Sequence, residues 1–486
     1  MLVLYNTLTR RKENFQPISG RKVGVYACGI TAYFSAHIGN MRTYVQEDVI
    51  RRVLIHDGFS VTHVQNITDV GHLVSDADTG EDKLRLEAEK EHKTMRDVSA
   101  FYTGLFLKDM GLLNIQKPEV MPKASDHIPE MLRLVKSLDQ KGYLYKAENG
   151  MYFDTSKFKG YGALASTSFQ QLTASLKEGA RVEKVAGKRN ITDFAVWRFA
   201  HGGEREMIWD SEWGRGFPGW HIECSAMSMK YLGEHFDIHF GGVDHIPIHH
   251  TNEIAQSEAS TGKKFVNYWM HMQFLTVEGG KMAKSVRNIY TVQEIVDRGY
   301  SPLALRFFLL SGHYRQTLNF TFEALSNAQN TLNGIYAFLG RLASAPRGGG
   351  GLAGDGFVDI VGRCRKDFFM ELDNDINMPA ALSSMHSIIN AANPRIESAG
   401  MSEADAKAVI DAMLDIDTVL GLGFSERLSR GKEELNGEIQ GLVDERESAR
   451  KAKDFTRSDE LRRLLKEKYH VVLEDTKHGI KWHREA

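Results

Sequence analysis

Short apolar runs alternate with helical patterns along the first third of the chain. Residues 23–27 have the length and alternation of a strand, and this run ends at Cys28. Valines then recur at helical spacing from Val45 to Val53, and residues 59–64 form a second strand-like run. A strand, a helix and a strand of these lengths predict a parallel crossover, the unit of a Rossmann-type α/β sheet.

The pattern that follows predicts further helices and strands around an insertion. Helical spacing covers about 83–113 and 126–141, and strands are predicted over 236–240 and 265–277. Glycine, serine and threonine are frequent over 150–189. We therefore interpret that stretch as an insertion between two halves of the sheet.

The C-terminal half predicts a helix bundle. Thr291 and Glu294 have the spacing of a capping box for a helix over 292–297. Glycine-rich residues 346–354 predict a flexible connection, after which helices resume near Phe357. Between these two points, six apolar residues alternate steps of three and four and so predict one buried helical stripe. They are Leu325, Ala328, Leu332, Ile335, Leu339 and Leu342.

Composition narrows the class of protein only slightly. At 486 residues the chain is long for one core and suggests about three or four domains. Its 61 basic and 63 acidic residues give a formal charge of −2, so any contact with RNA must rely on local patches. Three cysteines cannot all pair, which favours a reducing compartment such as the cytoplasm. No run approaches about twenty apolar residues, so we expect no contact with a membrane.

Four polar residues could form a metal site. Cys28 lies at the carboxyl end of a predicted strand, where open α/β sheets bind ligands, and His249 and Glu253 share one helical face. With Cys224 they offer two thiolates, an imidazole and a carboxylate, a plausible tetrahedral set for Zn²⁺ that a substrate thiol could join. The alternative is four ordinary core residues, because no compact Cys-x-x-Cys pair is present.

Two further segments carry side chains suited to phosphate. Residues 36–40, Ala-His-Ile-Gly-Asn, lie where a strand should pass into a helix. Residues 281–285, Lys-Met-Ala-Lys-Ser, place two lysines behind Gly279 and Gly280 in a loop that could fold over the same phosphates. In this order the two segments resemble the paired signatures of class I aminoacyl-tRNA synthetases, which build aminoacyl-adenylates on a Rossmann-type sheet.

The amino-acid sequence around the cysteines and histidines resembles that of cysteinyl-tRNA synthetases. The matching segments include residues 26–31, 219–227 and 241–250, and the resemblance covers essentially the whole chain up to Trp482. It implies ATP-dependent activation of L-cysteine to cysteinyl-adenylate and transfer to the 3′-terminal adenosine of tRNA(Cys). We accordingly expect one Zn²⁺ per chain, ATP used with Mg²⁺, and a monomer. The implied zinc ligands are Cys28, Cys224, His249 and Glu253.

The same resemblance assigns roles around the nucleotide. Gly242 would let the backbone approach the nucleotide closely. The groups expected to stabilise charge on the phosphates of ATP are His37, Asn40, Lys281 and Lys284. The residues expected to surround the cysteinyl-adenylate are Gly29, Thr31, Thr43, Asn66, Thr68, Trp220 and Asp244. For Thr43 and Thr68 the alternative is an ordinary helix or turn hydroxyl.

Two residues depart from the family signatures. Asn40 stands in place of the second histidine, and its amide can donate a hydrogen bond to phosphate although it carries no charge. Ala283 stands in place of a serine, which removes one hydroxyl and leaves both lysines. We expect a working site in which adenylate formation could be slower.

Pattern and resemblance together predict how the chain divides. The fold class is α/β, with a Rossmann-type catalytic domain in two halves, a helical bundle and a small C-terminal domain. The catalytic halves are 1–122 and 191–277, with a connective insertion at 123–190. A lysine-loop region at 278–320, a tRNA-binding helical bundle at 321–424 and an anticodon-binding domain at 425–486 follow.

The C-terminal segment bears on the competing interpretations. Residues 450–468 carry eight basic and four acidic side chains, which suits phosphate contact but is also typical of a solvated helix face. Trp482 could stack on a base or close a small core. A mycothiol-pathway-type ligase, which gives activated cysteine to an amino sugar, would lack the residues after about Phe424. A non-catalytic RNA-binding paralogue would need neither the lysines nor the metal ligands.

Overall fold

The computed structural model describes most of the chain in two units. The described residues are 1–70, 83–167, 171, 186–200, 206–280, 282, 288–346, 356–398, 400–430, 437–469, 471–476 and 479–484. The first unit holds Met1–Arg298, Leu309–Thr321 and Glu371–Pro379, and the second holds Gly299–Phe308, Phe322–Met370 and Ala380–Ala486. The six-part division inferred from the sequence stays a prediction.

A parallel four-stranded sheet forms the centre of the first unit. In spatial order its strands are β10 (Val266–Met272), β9 (Phe236–Gly242), β3 (Lys22–Thr31) and β4 (Ser60–Thr68), and each neighbouring pair is parallel. Helix α1 (Ile38–His56) connects β3 to β4, which confirms the predicted crossover and the α/β class. Strands β9 and β10 are buried over nearly their whole length, as expected for a sheet covered on both faces.

Among the described residues, six further α-helices belong to the first unit. The predicted helix over 83–113 is present as two helices, and the one over 126–141 is confirmed with an apolar face that buries Ile128, Met131 and Leu134. The helices are α2 (Lys83–Glu91), α3 (Met95–Leu112), α4 (Ile128–Gln140), α5 (Trp220–Leu232), α6 (His249–Thr261) and α7 (Val292–Asp297). The Thr291 hydroxyl accepts from the Glu294 N–H while the Glu294 carboxylate accepts from the Thr291 N–H, which confirms the predicted capping box.

An antiparallel sheet spans the region predicted as an insertion. Its order is β5 (Leu144–Ala147), β6 (Gly150–Phe153), β7 (Phe194–Phe199) and β8 (Gly216–Pro218), so it begins before residue 150 and ends after residue 189. The rings of Phe153 and Phe194 stack across β6 and β7 with centroids 5.1 Å apart. This sheet forms by pairing between segments that are distant in the chain, so the local amino-acid composition did not predict it.

Two small strand pairs also lie in the described part of the first unit. β1 (Val3–Asn6) and β2 (Arg11–Asn14) are antiparallel, whereas β11 (Leu275–Val277) and β12 (Leu318–Phe320) are parallel. The prediction of one strand over 265–277 is therefore wrong. The chain leaves the main sheet at Gln273, whose N–H donates to the Tyr314 carbonyl, and β11 then pairs with β12.

The second unit is mainly helical. The predicted stripe is confirmed, since all six of its apolar residues are buried on α9 (Phe322–Ser344). The other helices, wholly or mostly of this unit, are α8 (Pro302–Leu310), α10 (Phe357–Asp373), α11 (Met378–Glu397), α12 (Glu403–Leu420), α13 (Phe424–Arg430), α14 (Gly437–Lys451) and α15 (Phe455–Tyr469). In the described part of the chain, no helix has the length and apolar character needed to cross a membrane.

A hairpin closes the C-terminal end. Strands β13 (Val471–Thr476) and β14 (Gly479–Arg484) are antiparallel, with Leu473 opposite Trp482. Val471 and Leu473 are buried against α14 and α15 in a small apolar core. The side chain of Trp482 lies outside the described residues, so both interpretations of that tryptophan stay open.

Candidate active site and metal centre

A bulge in β3 places Cys28 at the carboxyl edge of the parallel sheet. The register of β3 against β4 shifts between Ala27 and Ile30, so the irregularity falls on Cys28 and Gly29. A Cβ atom on Gly29 would lie 1.5 Å from the carbonyl oxygen of Asn66, and only glycine permits this approach. The Gly29 N–H donates to Asn66 Oδ1 at 2.9 Å, which holds the bulge in place.

The four predicted ligand residues meet at this edge. Helix α5 supplies Cys224, and α6 supplies His249 and Glu253 one turn apart. The Sγ atoms of Cys28 and Cys224 are 4.0 Å apart, and His249 Nε2 is 3.0 Å from Glu253 Oε1. All four donor atoms lie within 4.8 Å of one another, and all four residues are buried. Usual zinc bond lengths give tetrahedral edges of about 3.8 Å between sulfurs and about 3.3 Å between nitrogen and oxygen, so the donor set fits Zn²⁺.

Burial and contacts within the cluster shift the pKa values of its members. The hydrogen bond with Cys28 lowers the pKa of Cys224 to about 6 although burial opposes this, while burial raises the pKa of Cys28 well above its usual range. Burial would lower the pKa of His249, but Glu253 and Cys224 raise it to about 10. Burial would raise the pKa of Glu253, but His239 and His249 lower it to about 2. The cluster thus holds a buried thiolate and carboxylate around a protonated His249, and a cation bound here would take the place of the His249 proton.

A second donor set shares two of these residues. His239 Nε2 lies 3.0 Å from Glu253 Oε2, and His250 Nε2 lies 3.4 Å from Cys28 Sγ. Cys28, His239, His250 and Glu253 also have donor atoms within 4.8 Å of one another. Of this set only Cys28 lines the neighbouring cavity, whereas three members of the predicted set do. We therefore take the predicted set as the one that a substrate can reach.

Aromatic contacts orient the His249 ring. The indole of Trp220 stacks on it with centroids 4.2 Å apart and an interplanar angle of 29°. His221 Nδ1 lies 2.9 Å from His249 Nδ1 on the side away from Glu253. Contacts of this kind to the second nitrogen of a metal-ligating histidine commonly fix its orientation.

A cavity opens beside the donor set, and the predicted adenylate residues line it. They are Gly29, Thr31, Thr43, Asn66, Thr68, Trp220 and Asp244, with Gly242 and Asn40 also in the wall. Asn66 Nδ2 donates to Thr68 Oγ1 at 3.2 Å, and that hydroxyl donates to Glu223 Oε2 at 3.1 Å. Sequence reasoning missed Glu223, although it immediately precedes Cys224, and missed Tyr33, Phe34 and Tyr44 in the wall.

The predicted phosphate segment caps helix α1. His37 is the N-cap residue, and its Nδ1 accepts from the Asn40 N–H at 3.2 Å. In return Asn40 Oδ1 accepts from the His37 N–H at 3.1 Å, which completes a capping box. Burial lowers the pKa of His37, so the ring is neutral and its Nε2–H remains a donor. Asn40 lines the cavity, and no acidic residue offsets the positive end of the helix dipole in the first turn.

Lys281 and Lys284, together with Ala283, lie outside the described residues, so their placement stays a prediction. The described residues run up to Gly280 on one side of this segment and, apart from Met282, resume at Asn288 on the other. Gly279 has a φ of +75°, a left-handed conformation that glycine adopts without strain.

Known proteins share this architecture. Residues 14–330 match the family model for the class I (C) tRNA-synthetase catalytic domain, and residues 367–425 match the DALR domain. The fold resembles a solved methionyl-tRNA synthetase of Mycobacterium tuberculosis in complex with methionyl-adenylate, with a TM-score of 0.63 and 14% identity. That likeness covers 85% of this chain and 94% of the other. Fold and family model together define a class I aminoacyl-tRNA synthetase.

The curated relatives show which family of class I synthetases the chain belongs to. The cysteine–tRNA ligase of Treponema denticola is 42% identical over 99% of both chains, and that of Thermococcus gammatolerans is 39% identical over 99% of this chain and 98% of its own. Cysteine–tRNA ligase 1 of Burkholderia lata is 43% identical over 98% of this chain and 96% of its own. The chain belongs to the cysteine–tRNA ligase family, which confirms the resemblance seen in the sequence.

Proposed function

We propose that this chain activates L-cysteine with ATP to cysteinyl-adenylate and transfers it to the 3′-terminal adenosine of tRNA(Cys). The observation that carries the proposal is a donor set suited to binding a thiol through a metal, which opens into a cavity at the carboxyl edge of a Rossmann-type sheet. The three relatives cited above are named cysteine–tRNA ligase, and they match this chain at 39% to 43% identity over nearly their whole length.

Cysteine recognition is assigned to one Zn²⁺ per chain, held by Cys28, Cys224, His249 and Glu253. When bound there, Zn²⁺ would lower the pKa of the cysteine thiol and favour a sulfur ligand over the hydroxyl of serine. The protein contributes preorganisation, because the four donors come from three packed elements and Trp220 stacks on the His249 ring. Selectivity against serine is therefore chemical more than steric.

The adenylate shell is assigned to the residues of the cavity wall. Gly29 and Gly242 lie in the cavity wall, where the lack of a side chain lets a ligand approach the backbone closely. Asp244 offers a carboxylate to the ammonium group or the ribose, and Trp220 offers an aromatic face. Thr31, Thr43, Asn66 and Thr68 supply hydroxyl and amide groups along the same wall.

Adenylate formation follows from the charges that develop. The cysteine carboxylate attacks the α-phosphate of ATP in line, and pyrophosphate leaves as an anion. The Nε2–H of His37 and the Nδ2 of Asn40 remain as donors at the start of α1, where the helix dipole also favours phosphate. Lys281 and Lys284, with Mg²⁺, are proposed to stabilise the charge that builds up on the phosphoryl oxygens. A ribose hydroxyl of the tRNA terminus, the 2′-hydroxyl if the class I pattern holds, then attacks the carbonyl carbon of the adenylate, and AMP leaves as the anhydride bond breaks.

The proposed partners are L-cysteine, ATP and tRNA(Cys), and the protein is expected to work as a cytoplasmic monomer. The helical region and the C-terminal segment are assigned to tRNA. A cysteine ligase acting on an amino sugar is the weaker candidate. The curated relatives match this chain over 96% to 99% of their own length, and the match therefore includes the C-terminal extension that such ligases lack.

Two assays on one preparation test the proposal. ATP–pyrophosphate exchange should depend on cysteine, and tRNA(Cys) should accept cysteine in a charging assay. Exchange without charging, accompanied by transfer of cysteine to an amino sugar, would favour the weaker candidate. Absence of cysteine-dependent exchange in zinc-loaded protein would refute both.

A further inference from the structure

Helix α1 carries a buried arginine two residues after Asn40. We propose that Arg42 is a positioning residue for cysteine activation, which fixes the strand pair leading into the lysine segment against the helix that carries His37 and Asn40. The inference rests on the proposed function, because it assigns Arg42 to the ATP-dependent step.

Arg42 binds the main chain of two other segments. Its side chain is fully buried, and its guanidinium donates to the carbonyl oxygens of Phe274 at 2.5 Å, His313 at 3.3 Å and Gln316. A guanidinium is a rigid planar fork of five N–H donors, so three carbonyls bound to one group are held at set angles to each other.

These carbonyls lie at the same end of the β11–β12 pair. Phe274 directly precedes β11, and Gln316 lies two residues before β12. The two strands run parallel, and at their other end the Glu278 N–H donates to the Phe320 carbonyl at 3.0 Å. Arg42 therefore holds the pair where it begins, and the pair leads directly to Gly280 and the lysine segment.

The residues that follow the lysine segment return to the same helix. The Ile38 N–H donates to the Tyr290 carbonyl at 2.8 Å, and His37 pairs with Thr291 in an isolated bridge. Both flanks of the lysine segment are thus tied to the first turns of α1. A transition state contacted by both phosphate motifs requires that their separation be held closely.

The turn that supplies two of the carbonyls is itself fixed from its other side. The Tyr314 hydroxyl donates to Asp375 Oδ1 at 2.5 Å, and Arg315 Nε donates to Asp375 Oδ2 at 2.9 Å. Asp375 is completely buried. Arg42 consequently binds a rigid support.

Simple packing does not explain a charged group in this place. Burial lowers the pKa of Arg42 to about 10, so the guanidinium stays protonated at neutral pH. A buried charge is costly, and an apolar residue of similar volume commonly fills such a space at least as well. The need to hold the three carbonyl groups in precise positions accounts for an arginine here.

The test compares Arg42→Gln with Arg52→Gln in the full-length, zinc-loaded protein. Arg52 is a matched control, since it is buried on the same helix, pairs with Asp48 at 2.8 Å and donates to the Asn114 carbonyl at 2.8 Å. Arg42→Gln should lower the exchange rate by about 10- to 100-fold, with zinc content and the KM for cysteine retained. Arg52→Gln should lower the melting temperature comparably and leave exchange within about twofold. Equal exchange by the two variants would overturn the proposal.

A double variant shows whether Arg42 acts through the lysine segment. In protein that already carries Lys284→Ala, Arg42→Gln should lower the exchange rate by less than about threefold, because the lysine that Arg42 positions is gone. A full multiplicative loss would contradict the proposal. If Arg42→Gln does not fold, Arg42→Lys carries the comparison, since lysine keeps the charge but cannot hold three carbonyls. Wild-type protein without cysteine-dependent exchange would instead refute the proposed function, so the two failures are distinguishable.

Discussion

The two ends of the cavity are built in different ways. At the thiol end, donors from one strand and two helices come together, with Cys28 and Cys224 separated by 196 positions in the chain, and all four are buried. At the end proposed for the nucleotide, Asn40 lies in the cavity wall and forms a local capping box with His37, three residues earlier, and both are only partly buried. The thiol end depends on tertiary packing, whereas the nucleotide end is set mainly by a helix start.

The difference matches the role proposed for each end. Distinguishing cysteine from serine requires a rigid donor set that excludes water and rival metals, and long-range packing supplies it. Stabilising the phosphates requires donors that face an incoming charged ligand, and the start of a helix presents them without further support. Variants at the thiol end should therefore abolish binding, whereas variants at the nucleotide end should slow a reaction that still occurs.

The largest effect is expected at the thiol end. Cys224→Ser should bind zinc more than about 100-fold more weakly than the wild type. Loss of a residue that only supports a ligand commonly lowers metal affinity by about 10- to 100-fold, and loss of a ligand itself should lower it further. Preference for cysteine over serine in exchange should fall with it. Metal analysis and exchange with both amino acids measure these changes. Cys364→Ser, at a partly exposed cysteine of α10, is the control and should keep one zinc. Full zinc and unchanged discrimination in Cys224→Ser would rule out the site.

The next largest effect is expected for the lysine segment. Lys284→Ala should raise the barrier to adenylate formation by about 2 to 4 kcal/mol, as for other preorganised charge contacts, while ATP binding changes little. Exchange kinetics and ATP affinity measured separately test this split. Lys159→Ala, at an exposed lysine of the insertion, should leave both unchanged. An unchanged exchange rate in Lys284→Ala would remove this lysine from the mechanism.

A smaller effect is expected in the C-terminal segment. Neutralising the exposed side chains of Lys451, Lys453 and Arg463 to alanine should weaken charging of tRNA(Cys) by about tenfold and flatten its salt dependence, because fewer counterions are released. Exchange should not change. The control neutralises the exposed Lys159, Lys263 and Lys264 of the first unit. Equal charging by the two triple variants would refute a role of the C-terminal segment in tRNA binding.

The smallest effect is expected at the helix cap. Asn40→Ala removes the oxygen that accepts from the His37 N–H in the capping box and should cost about 1 kcal/mol of unfolding free energy, the usual net contribution of one hydrogen bond. Asn40→Asp keeps an oxygen acceptor in the first turn of the helix and should cost almost nothing in stability. Both should slow exchange, because both lose the Nδ2 donor. Denaturant unfolding and exchange on the same samples separate the two roles, and equal stability losses would show that the capping box does not matter.

Elements set by local periodicity could be predicted from the sequence. The crossover from β3 to β4, the helix carrying His249 and Glu253 and the stripe on α9 were all found, since apolar spacing within each segment reports its buried face. The helix start at His37 and the resemblance to the family were found for a similar reason, because their residues lie close together along the chain.

Features that depend on pairing between distant segments could not be predicted. The bulge at Gly29 exists because Asn66 approaches from the neighbouring strand, and the turn away from β10 exists because β12 pairs with β11. His239 joins the donor cluster only because β9 lies beside α6. The carbonyls held by Arg42 lie more than 230 positions away, and no local pattern marks them.

The most direct test of thiol recognition is the absorption spectrum of the protein with Co²⁺ in place of Zn²⁺. Addition of L-cysteine should strengthen the near-ultraviolet sulfur-to-cobalt charge-transfer band, because a substrate thiolate joins those of Cys28 and Cys224. L-serine at the same concentration should leave the band unchanged. An unchanged spectrum with cysteine, or the same change with both amino acids, would contradict recognition of cysteine through this metal.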